Sequence, residues 1–317
     1  MFYVIYNPSS KSGKGIKLWR NVRSNLEELH QEYRVYKTTP DRDASYIVKN
    51  IFTYNPEGEI KIMLLGGDGT LNEALQGFTD KDFERTILYY LPTGSSNDLA
   101  RATGYTDSHD DMIKGYIEKD AYRSIDLGLV KYNSSVTPGY SKRFFIVSCG
   151  IGYDASVCEE AMSSRIKKIL NKIGLGKLCY FGITLKQLFG TPKVDMTIKE
   201  DDNEEYTINK AYFASVMNHK YQGGGLIFAP DATDDDGELD LCHASDISKL
   251  SVLSILPTLY KGEHVGKKGI YVSKLKKVNI KSSMPLYVHT DGEVRTKSDD
   301  ITVEVLPGKL KLAVYKD

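Results

Sequence analysis

Apolar runs alternate with stretches of helical spacing over residues 1–123. The strand-like runs are "FYVIYN", "YRVYKT", "IKIMLL" and "TILYYLP". Between them, apolar residues recur at helical intervals from about Ile16 to Gln31, from Ala44 to Tyr54 and from Leu71 onward. Alternation of strands with helices is typical of a parallel sheet wrapped by helices. We therefore predict an α/β domain over residues 1–123.

After Ser124 the pattern changes to strands separated by short turns, as in "SIDLGLVKY", "RFFIVSCGIG" and "ITVEVLP". This predicts a mainly antiparallel β-sandwich over residues 124–296, with a C-terminal segment, 297–317, that packs back on the first domain. One helical interruption is predicted, from about Asp154 to Gly190. The Lys-rich part of this segment, 165–189, has the composition of a helix that lies on anionic lipid, although helices that cover one end of a sandwich look the same.

Composition limits the class of protein. Lys and Arg number 42, as do Asp and Glu, so no net positive charge favours nucleic acid. The cysteines, Cys149, Cys158, Cys179 and Cys242, form no CxxC pair, which is typical of thiols in a reducing cytoplasm. There is no signal-peptide pattern and no apolar run of roughly 18 residues, the length of a spanning helix. We predict a cytoplasmic protein that is soluble or bound to a membrane surface.

Glycine-rich loops follow three of the predicted parallel strands, at the ends where such sheets bind ligands. They are "NPSSKSGKG" (7–15), "GGDGT" (66–70) and "PTGSSND" (92–98). Glycines let the backbone approach a phosphate, and N–H groups at a helix start favour an anion. The first loop is not a Walker A loop, because Pro8 stands where the first glycine belongs. Three such loops on neighbouring strands predict a nucleotide site.

Asp68 is the informative residue of the "GGDGT" loop, which we expect to enter a helix at Thr70 or Leu71. A carboxylate beside phosphates is unfavourable unless a cation lies between them, so Asp68 indicates Mg²⁺. In the next loop, Asn97 and Asp98 could cap a helix or hold metal-bound water.

Two motifs of the second domain have a structural explanation as well as a functional one. The turn 231–238 contains five acidic residues, which suits a solvated loop as well as a metal site. "YVHTDGEVR" (287–295) is first of all a hairpin closed by Asp-Gly. His289 on this hairpin could orient a carboxylate, but a lone histidine on a strand is more often packed without a role. No HExxH or GxSxG motif supports a metalloprotease or a hydrolase triad.

Read in order, "NPSS", "GGDGTLNE", "PTGSSNDLAR", "DLG", "APDATDDDGELDL" and "DGE" resemble the diacylglycerol kinase catalytic-domain family of bacterial lipid kinases. The resemblance covers nearly the whole chain. It implies an N-terminal domain like those of phosphofructokinases and NAD kinases, a C-terminal β-sandwich, and ATP bound between them.

The resemblance also implies roles for individual residues. The implied nucleotide contacts are Asn7, Ser10, Lys11, Ser12, Gly13, Lys14, Thr38, Gly66, Gly67, Asp68, Gly69, Thr70, Glu73, Ser95 and Asn97. Ser95 stands where the family usually has Thr, which affects fine positioning because the hydroxyl is kept. The implied Mg²⁺ site comprises Asp68, Asp98 and Asp126, and a second, structural Mg²⁺ would be held by the Asp236 carboxylate and the backbone oxygens of Thr233 and Glu238. Asp291 is the implied base, with Glu293 as its support or alternative.

The predicted activity is transfer of the γ-phosphoryl group of ATP, with Mg²⁺, to the hydroxyl of a lipid alcohol. Diacylglycerol, giving phosphatidic acid, is the family default; undecaprenol or a sphingoid base is an alternative. NAD kinase and a non-catalytic nucleotide-binding regulator are further alternatives. The expected partners are the lipid alcohol and the inner face of the cell membrane, without nucleic acid, and the resemblance is compatible with a homodimer.

Overall fold

A computed structural model describes residues 1–13, 15–164 and 176–316. The chain divides into two compact units: unit 1 comprises residues 1–127 and 307–317, and unit 2 comprises residues 128–306. The sequence pattern had suggested boundaries at 123 and 296. The second of these falls inside a single strand that runs from Glu293 to Val314, because "ITVEVLP" and "LKLAVYK" continue one another.

Unit 1 is built on parallel strands. They are β1 (Phe2–Tyr6), β2 (Tyr33–Lys37), β3 (Ile60–Gly66) and β4 (Thr86–Pro92). Their order is β2-β1-β3-β4, with Phe2 opposite both Tyr33 and Lys61. The apolar residues of β3 and β4 are buried on both faces, as expected for strands covered by helices.

The helices of unit 1 follow the strands in alternation. They are α1 (Ser10–Gly13), α2 (Gly15–Glu28), α3 (Ala44–Tyr54), α4 (Asp68–Leu75), α5 (Asp80–Glu84), α6 (Asp98–Thr103) and α7 (His109–Lys119). Local capping explains two of the starts: Asp43 accepts a hydrogen bond from the Tyr46 N–H before α3, and Ser108 accepts one from the Asp111 N–H before α7.

Unit 2 is antiparallel, as predicted. Strand β5 (Ala121–Ser134) leads into it from unit 1. The further strands are β6 (Lys142–Phe145), β7 (Ser148–Gly152), β8 (Val194–Glu200), β9 (Tyr206–Ala211), β10 (Phe213–Met217), β11 (Tyr221–Gln222), β12 (Leu226–Ile227), β13 (Leu239–Ala244), β14 (Ile270–Leu275), β15 (Lys277–Thr290) and β16 (Glu293–Val314). The main ladder runs β14-β13-β10-β7-β15, and β15 also pairs with β8 and β16.

The helices of unit 2 pack together around one buried apolar cluster. They are α8 (Tyr153–Ser163), α9 (Gly176–Gly190) and α10 (Lys249–Ile255), which a 3₁₀ turn (Leu256–Tyr260) extends. Ile183, Leu188, Val252 and Ile255 share one buried cluster. The prediction of a single helical interruption is therefore wrong, because Ser248, which caps α10, starts a second one. No helix in the described part of the chain is long and apolar enough to cross a membrane.

Candidate active site

The turn from β3 into α4 is tightly packed around its glycines. Gly67 has an extended backbone (φ −93°, ψ −177°) and occupies the N-cap position, so α4 begins at Asp68, earlier than the predicted Thr70 or Leu71. A Cβ at Gly66 would lie 2.6 Å from the Thr70 Cβ, closer than side chains tolerate. Asp68 thus stands in the first helical turn, where the helix dipole stabilises a negative charge.

The loop after β4 contacts this turn through its backbone. The Thr93 N–H donates to the Gly66 carbonyl oxygen at 2.8 Å. A Cβ at Gly67 would lie 2.8 Å from the Gly94 Cα, and a Cβ at Gly94 would lie 2.6 Å from the Gly67 Cα. Only glycine fits at both positions, so two predicted phosphate loops form one continuous backbone surface.

Asn97 and Asp98 complete this surface in different ways. Asn97 has a left-handed backbone (φ 50°) and occupies the N-cap position of α6, as predicted, but its side chain makes no capping hydrogen bond. Instead, its Oδ1 accepts a hydrogen bond from the Gly94 N–H at 2.8 Å and closes the loop on itself. The Asp98 N–H donates to Asp68 Oδ2 at 2.9 Å. The Asp68 carboxylate therefore joins the two loops.

The pKa of Tyr90, on β4, shows that negative charge lies close to its hydroxyl, beneath the two loops. Its side chain is fully buried, and burial, followed by the negative charges of Asp68 and Asp98, raises the pKa of its hydroxyl well above the usual range. The phenol stays neutral, and both carboxylates lie close enough to act on it. Mg²⁺ is usually bound by one or two carboxylates together with phosphate oxygens and water, so Asp68 and Asp98 fit such an ion.

Asp126, the third predicted ligand, has a visible structural bond. It is buried, and its Oδ1 accepts a hydrogen bond from the Gly308 N–H at 2.6 Å, which holds the returning C-terminal segment. Among the described residues, no group of three or more His, Cys, Asp or Glu side chains could hold a metal. A metal role for Asp126 stays a prediction.

The loop after β1 joins the same surface. Asn7 donates through Nδ2 to Thr70 Oγ1 at 3.2 Å, and its N–H donates to the Leu65 carbonyl oxygen at 3.1 Å. A Cβ at Gly15 would overlap the Asn7 carbonyl oxygen, so the start of α2 needs a glycine. Ser10 and Gly13 belong to α1. Lys14 and the side chains of Lys11 and Ser12 lie outside the described residues.

The remaining predicted nucleotide residues lie on the same elements. Thr38 directly follows β2 and is buried, Ser95 follows β4 and is exposed, and Gly69 and Glu73 lie half-buried on α4. Carboxyl ends of parallel strands meet at one edge of a sheet, so Thr38 and Ser95 share that edge with the glycine loops. Nucleotide contact by these residues stays a prediction.

In unit 2, the "TDGE" stretch forms a tight hairpin, which confirms the structural interpretation of this motif. Thr290 pairs with Glu293, and both central residues have positive φ, 52° at Asp291 and 82° at Gly292. Positive φ at both positions defines a type I′ turn, the form that Asp-Gly favours. The turn fixes the backbone positions of Asp291 and Glu293, the two predicted catalytic residues.

The two carboxylates then have different surroundings. Asp291 accepts hydrogen bonds from three backbone N–H groups, those of Val147 at 2.7 Å, Ser148 at 3.0 Å and Ile146 at 3.0 Å. These bonds tie Asp291 to the backbone between β6 and β7, and its role as the base stays a prediction. The Glu293 side chain is 23% exposed and lies 3.4 Å from Arg295 Nη2.

The turn of the predicted second metal site is held by a lysine and a backbone N–H group. Lys274 Nζ lies 2.5 Å from Asp236 Oδ2, and the Glu238 N–H donates to Asp236 Oδ1 at 3.1 Å. Burial opposes the charge of Asp236, but the hydrogen bonds from Lys274, Thr233 and the Glu238 N–H outweigh it and lower the pKa of Asp236. Asp236 is thus paired with Lys274, and a metal role for Thr233, Asp236 and Glu238 stays a prediction.

The pKa of the neighbouring Asp240 is raised, whereas that of Asp236 is lowered. It lies opposite Lys274 across the β13–β14 pair and is 3% exposed. Burial raises the pKa of Asp240 to about 6; Lys274 opposes the shift, and nearby carboxylates including Asp236 add to it.

The sequence interpretation missed Asp154, and it raised for His289 both the orientation of a carboxylate and a packed position without a role. These residues form a buried pair next to the hairpin, with His289 Nε2 at 3.1 Å from Asp154 Oδ2. Asp154 stands in the first turn of α8, directly after the glycine-rich end of β7. That is the local pattern of Asp68, and it is the signal that could have found Asp154.

Two family models match the chain. The model described as "Diacylglycerol kinase catalytic domain" matches residues 1–130, and the model described as "YegS C-terminal NAD kinase beta sandwich-like domain" matches residues 147–314. Together they account for both units, which confirms the predicted fold class of an α/β domain followed by an antiparallel β domain.

Individual proteins give the same picture. The chain is 25% identical over 299 residues to "Putative lipid kinase YtlR" of Bacillus subtilis (strain 168), covering 92% of this chain and 93% of that protein. It is 26% identical over 287 residues to "Diacylglycerol kinase" of Mycobacterium tuberculosis (strain ATCC 25618 / H37Rv), covering 90% and 86%. The structure of "A putative diacylglycerol kinase from Bacillus anthracis str. Sterne" superposes with a TM-score of 0.73 at 22% identity, covering 98% of this chain and 96% of that one. At this identity the likeness shows the fold alone.

Proposed function

The chain belongs to the diacylglycerol kinase catalytic-domain family, and on that basis we propose that it is an ATP-dependent lipid kinase whose acceptor is diacylglycerol and whose product is phosphatidic acid. One observation carries the proposal. The Gly67 and Gly94 backbones meet, with the Asp68 carboxylate joining the two loops, at the strand ends where nucleotides bind. This surface offers a phosphate group both close backbone approach and a carboxylate for its cation.

Unit 1 supplies the nucleotide-binding part of the proposed reaction. Asn7, Gly66, Gly67 and Thr70 place backbone and hydroxyl groups for the phosphates. Asp68, with Asp98, would hold Mg²⁺, which neutralises charge on the β- and γ-phosphates when it is bound with ATP. Phosphoryl transfer depends mostly on positioning and charge stabilisation, which rigid glycine loops suit.

Unit 2 supplies the proton acceptor. We assign this role to Glu293, because Asp291 already accepts three backbone N–H groups. Asp291 holds the segment between β6 and β7 against the hairpin and so fixes the turn from which Glu293 emerges. A general base must be able to accept a proton in the pose that the substrate takes, and the half-buried Glu293 carboxylate satisfies this better.

Two features of unit 2 support a lipid acceptor. An apolar cavity of about 50 Å³ lies beneath α10, lined by Phe228, Leu256 and Leu259 among others; it is apolar enough for an acyl chain, which would enter only if these side chains moved apart. On α9, Phe181 and Phe189 are 56% and 58% exposed, as on a helix that lies in a membrane interface. Lys167, Lys168 and Lys172, the lysines predicted to contact anionic lipid, lie outside the described residues.

The function is tested by transfer of labelled γ-phosphate from MgATP to detergent-dispersed diacylglycerol, undecaprenol and sphingosine, with NAD as a soluble acceptor. We expect label in diacylglycerol. Label in another lipid would keep the kinase and correct its substrate, whereas label only in NAD would make the protein an NAD kinase. Binding of ATP without transfer to any acceptor would favour a nucleotide-binding regulator. A Glu293→Gln sample in the same assay controls for a contaminating kinase.

A further inference from the structure

A buried polar network lies directly behind the Asp-Gly-Glu hairpin. The His289 side chain is 0% exposed, and its Nε2 lies 3.1 Å from Asp154 Oδ2. Asp154 is 6% exposed, and its Oδ1 accepts a hydrogen bond from the Ala155 N–H at 2.8 Å. A carboxylate buried to this degree needs a hydrogen-bonding partner, and His289 provides it.

The opposite side of the His289 ring contacts the turn itself. The Gly292 N–H donates to His289 Nδ1 at 3.3 Å. A ring nitrogen that accepts a hydrogen bond carries no proton, so in the neutral imidazole the proton is on Nε2 and points at Asp154. The network therefore has a direction: Asp154 sets the tautomer of His289, and His289 presents an acceptor to the backbone of the turn.

The neighbouring strands leave room for this pair. Gly150 lies opposite His289 across the β7–β15 pair, and a Cβ there would overlap Asp154 Oδ2 and lie 2.5 Å from His289 Nε2. The Gln222 side-chain amide nitrogen stands 3.3 Å from the same ring nitrogen; because this nitrogen is also a donor, it makes no hydrogen bond to a protonated Nε2. Gln222 Oε1 accepts a hydrogen bond from Ser215 Oγ at 3.0 Å. The His289 ring is thus enclosed by polar groups. It fits there only because residue 150 is a glycine.

We infer that His289, held by Asp154, is a positioning residue that fixes the turn between Asp291 and Glu293 for phosphoryl transfer, an inference that rests on the proposed kinase function. The positive φ at Asp291 belongs to the type I′ turn that Asp-Gly favours, and the surroundings hold that turn in one position. The backbone N–H groups bound to Asp291 hold the turn from one side, and the His289 bond to Gly292 holds it from the other. A base displaced by about 1 Å can lose roughly 100-fold in rate, so the turn needs this support.

Two substitutions separate the two bonds of the ring. In His289→Asn, the shorter amide can still place an oxygen near the Nδ1 position and accept the Gly292 N–H, but it does not reach Asp154. In His289→Gln, the longer amide reaches Asp154 from the Nε2 position and leaves the Gly292 N–H without its acceptor. We expect His289→Gln to lower kcat by about 10-fold or more while the KM for ATP is unchanged, and His289→Asn to keep most of kcat but to unfold at a lower temperature.

A matched control is available in the same unit. His243 is 4% exposed and stacks on Tyr271 with ring centroids 4.9 Å apart. It lies on β13, which pairs with β10 and β14 and not with the strands of the hairpin. His243→Asn and His243→Gln should lower the unfolding temperature without changing kcat. If the His289 variants instead lost kcat only in proportion to their loss of stability, as the His243 variants would, the positioning role would be wrong.

Nitrogen NMR of the His289 ring gives a reading that does not depend on activity. We expect the protonated nitrogen to be Nε2, and a proton on Nδ1 would overturn the proposed network. If the wild-type protein phosphorylates lipid and His289→Gln keeps full kcat, the positioning role fails and the kinase function stands. If the wild-type protein transfers phosphate to no acceptor, the kinase function fails and the positioning role fails with it, whatever the NMR shows.

Discussion

The glycine loops of unit 1 and the Asp-Gly-Glu hairpin of unit 2 are held in place by different kinds of contact. In unit 1 the loops meet through main-chain atoms, because Gly67 and Gly94 leave no side chain between them. In unit 2 the hairpin is fixed by buried polar groups that come from distant strands and helices, including Asp154, which is 135 residues away from His289.

This difference predicts different responses to mutation. Where backbones touch, an added methyl group is the damaging change, since closely packed atoms cannot make room for it. Where a network of buried polar groups holds the structure, loss of one acceptor is the damaging change, because its donors are left unsatisfied. Asp68 is the exception in unit 1, because it contributes through its side chain. Its charge is proposed to act in the reaction, and its Oδ2 accepts the hydrogen bond that joins the two loops.

The largest expected effect separates these two roles of Asp68. In Asp68→Asn, the amide oxygen still accepts the Asp98 N–H, but the negative charge for Mg²⁺ is lost. We expect kcat for lipid phosphorylation to fall by roughly 100-fold or more while the unfolding temperature changes little. Steady-state kinetics with a parallel thermal melt provide the measurement. Full activity in this variant would show that the charge of Asp68 has no part in catalysis.

The next effect compares the two carboxylates of the hairpin. Glu293→Gln should lower kcat by roughly 100-fold, the usual cost of losing a general base, at unchanged stability. Asp291→Asn should lower the free energy of unfolding by about 2 kcal/mol, because an amide group cannot accept all three N–H donors. Urea unfolding and kcat measured on both variants test this. The reverse pattern, a stable Asp291→Asn without activity beside an active Glu293→Gln, would make Asp291 the base.

A smaller effect tests the backbone contact in unit 1. Gly94→Ala places a Cβ 2.6 Å from the Gly67 Cα and 2.7 Å from Asn97 Oδ1. We expect a loss of about 1–3 kcal/mol in stability and a higher KM for ATP, because both loops must shift. Gly182→Ala is the control: it lies within α9 with no atom within 4 Å of the new Cβ, and it should be neutral or slightly stabilising. Equal stability of the two variants would argue against close loop contact.

The smallest effect concerns a buried carboxylate of unit 2. Asp240 has a folded-state pKa of about 6, above its ordinary value of 3.8. The folded protein therefore binds a proton before the unfolded chain does, so this group adds stability as the pH falls from 7 to 4.5, by about 2 kcal/mol. Urea unfolding at both pH values should show this gain in the wild type and not in Asp240→Asn. An equal pH dependence in both proteins would contradict the shift.

Much of the fold could be predicted because its signals are local. Helix α3 and strand β4 occupy the predicted residues, since a capping Asp43 and an unbroken apolar run need no distant partner to be recognised. The errors also have physical causes. Helix α4 begins early because Gly67 takes the extended conformation of an N-cap, and α10 was missed because its few turns carry little periodicity. The family, too, was predicted correctly, because its motifs occur in a fixed order.

The sequence by itself determined the nature of the two units, the glycine loops with Asp68 between them, and the Asp-Gly turn, because each depends on neighbours a few residues away. Only the tertiary structure decided which side chains meet. It placed three backbone N–H groups on Asp291, Lys274 on Asp236, and Asp154 on His289. Hydrogen bonds between residues far apart leave no periodicity or spacing in the chain, since any acceptor type can meet any donor type once folding brings them together.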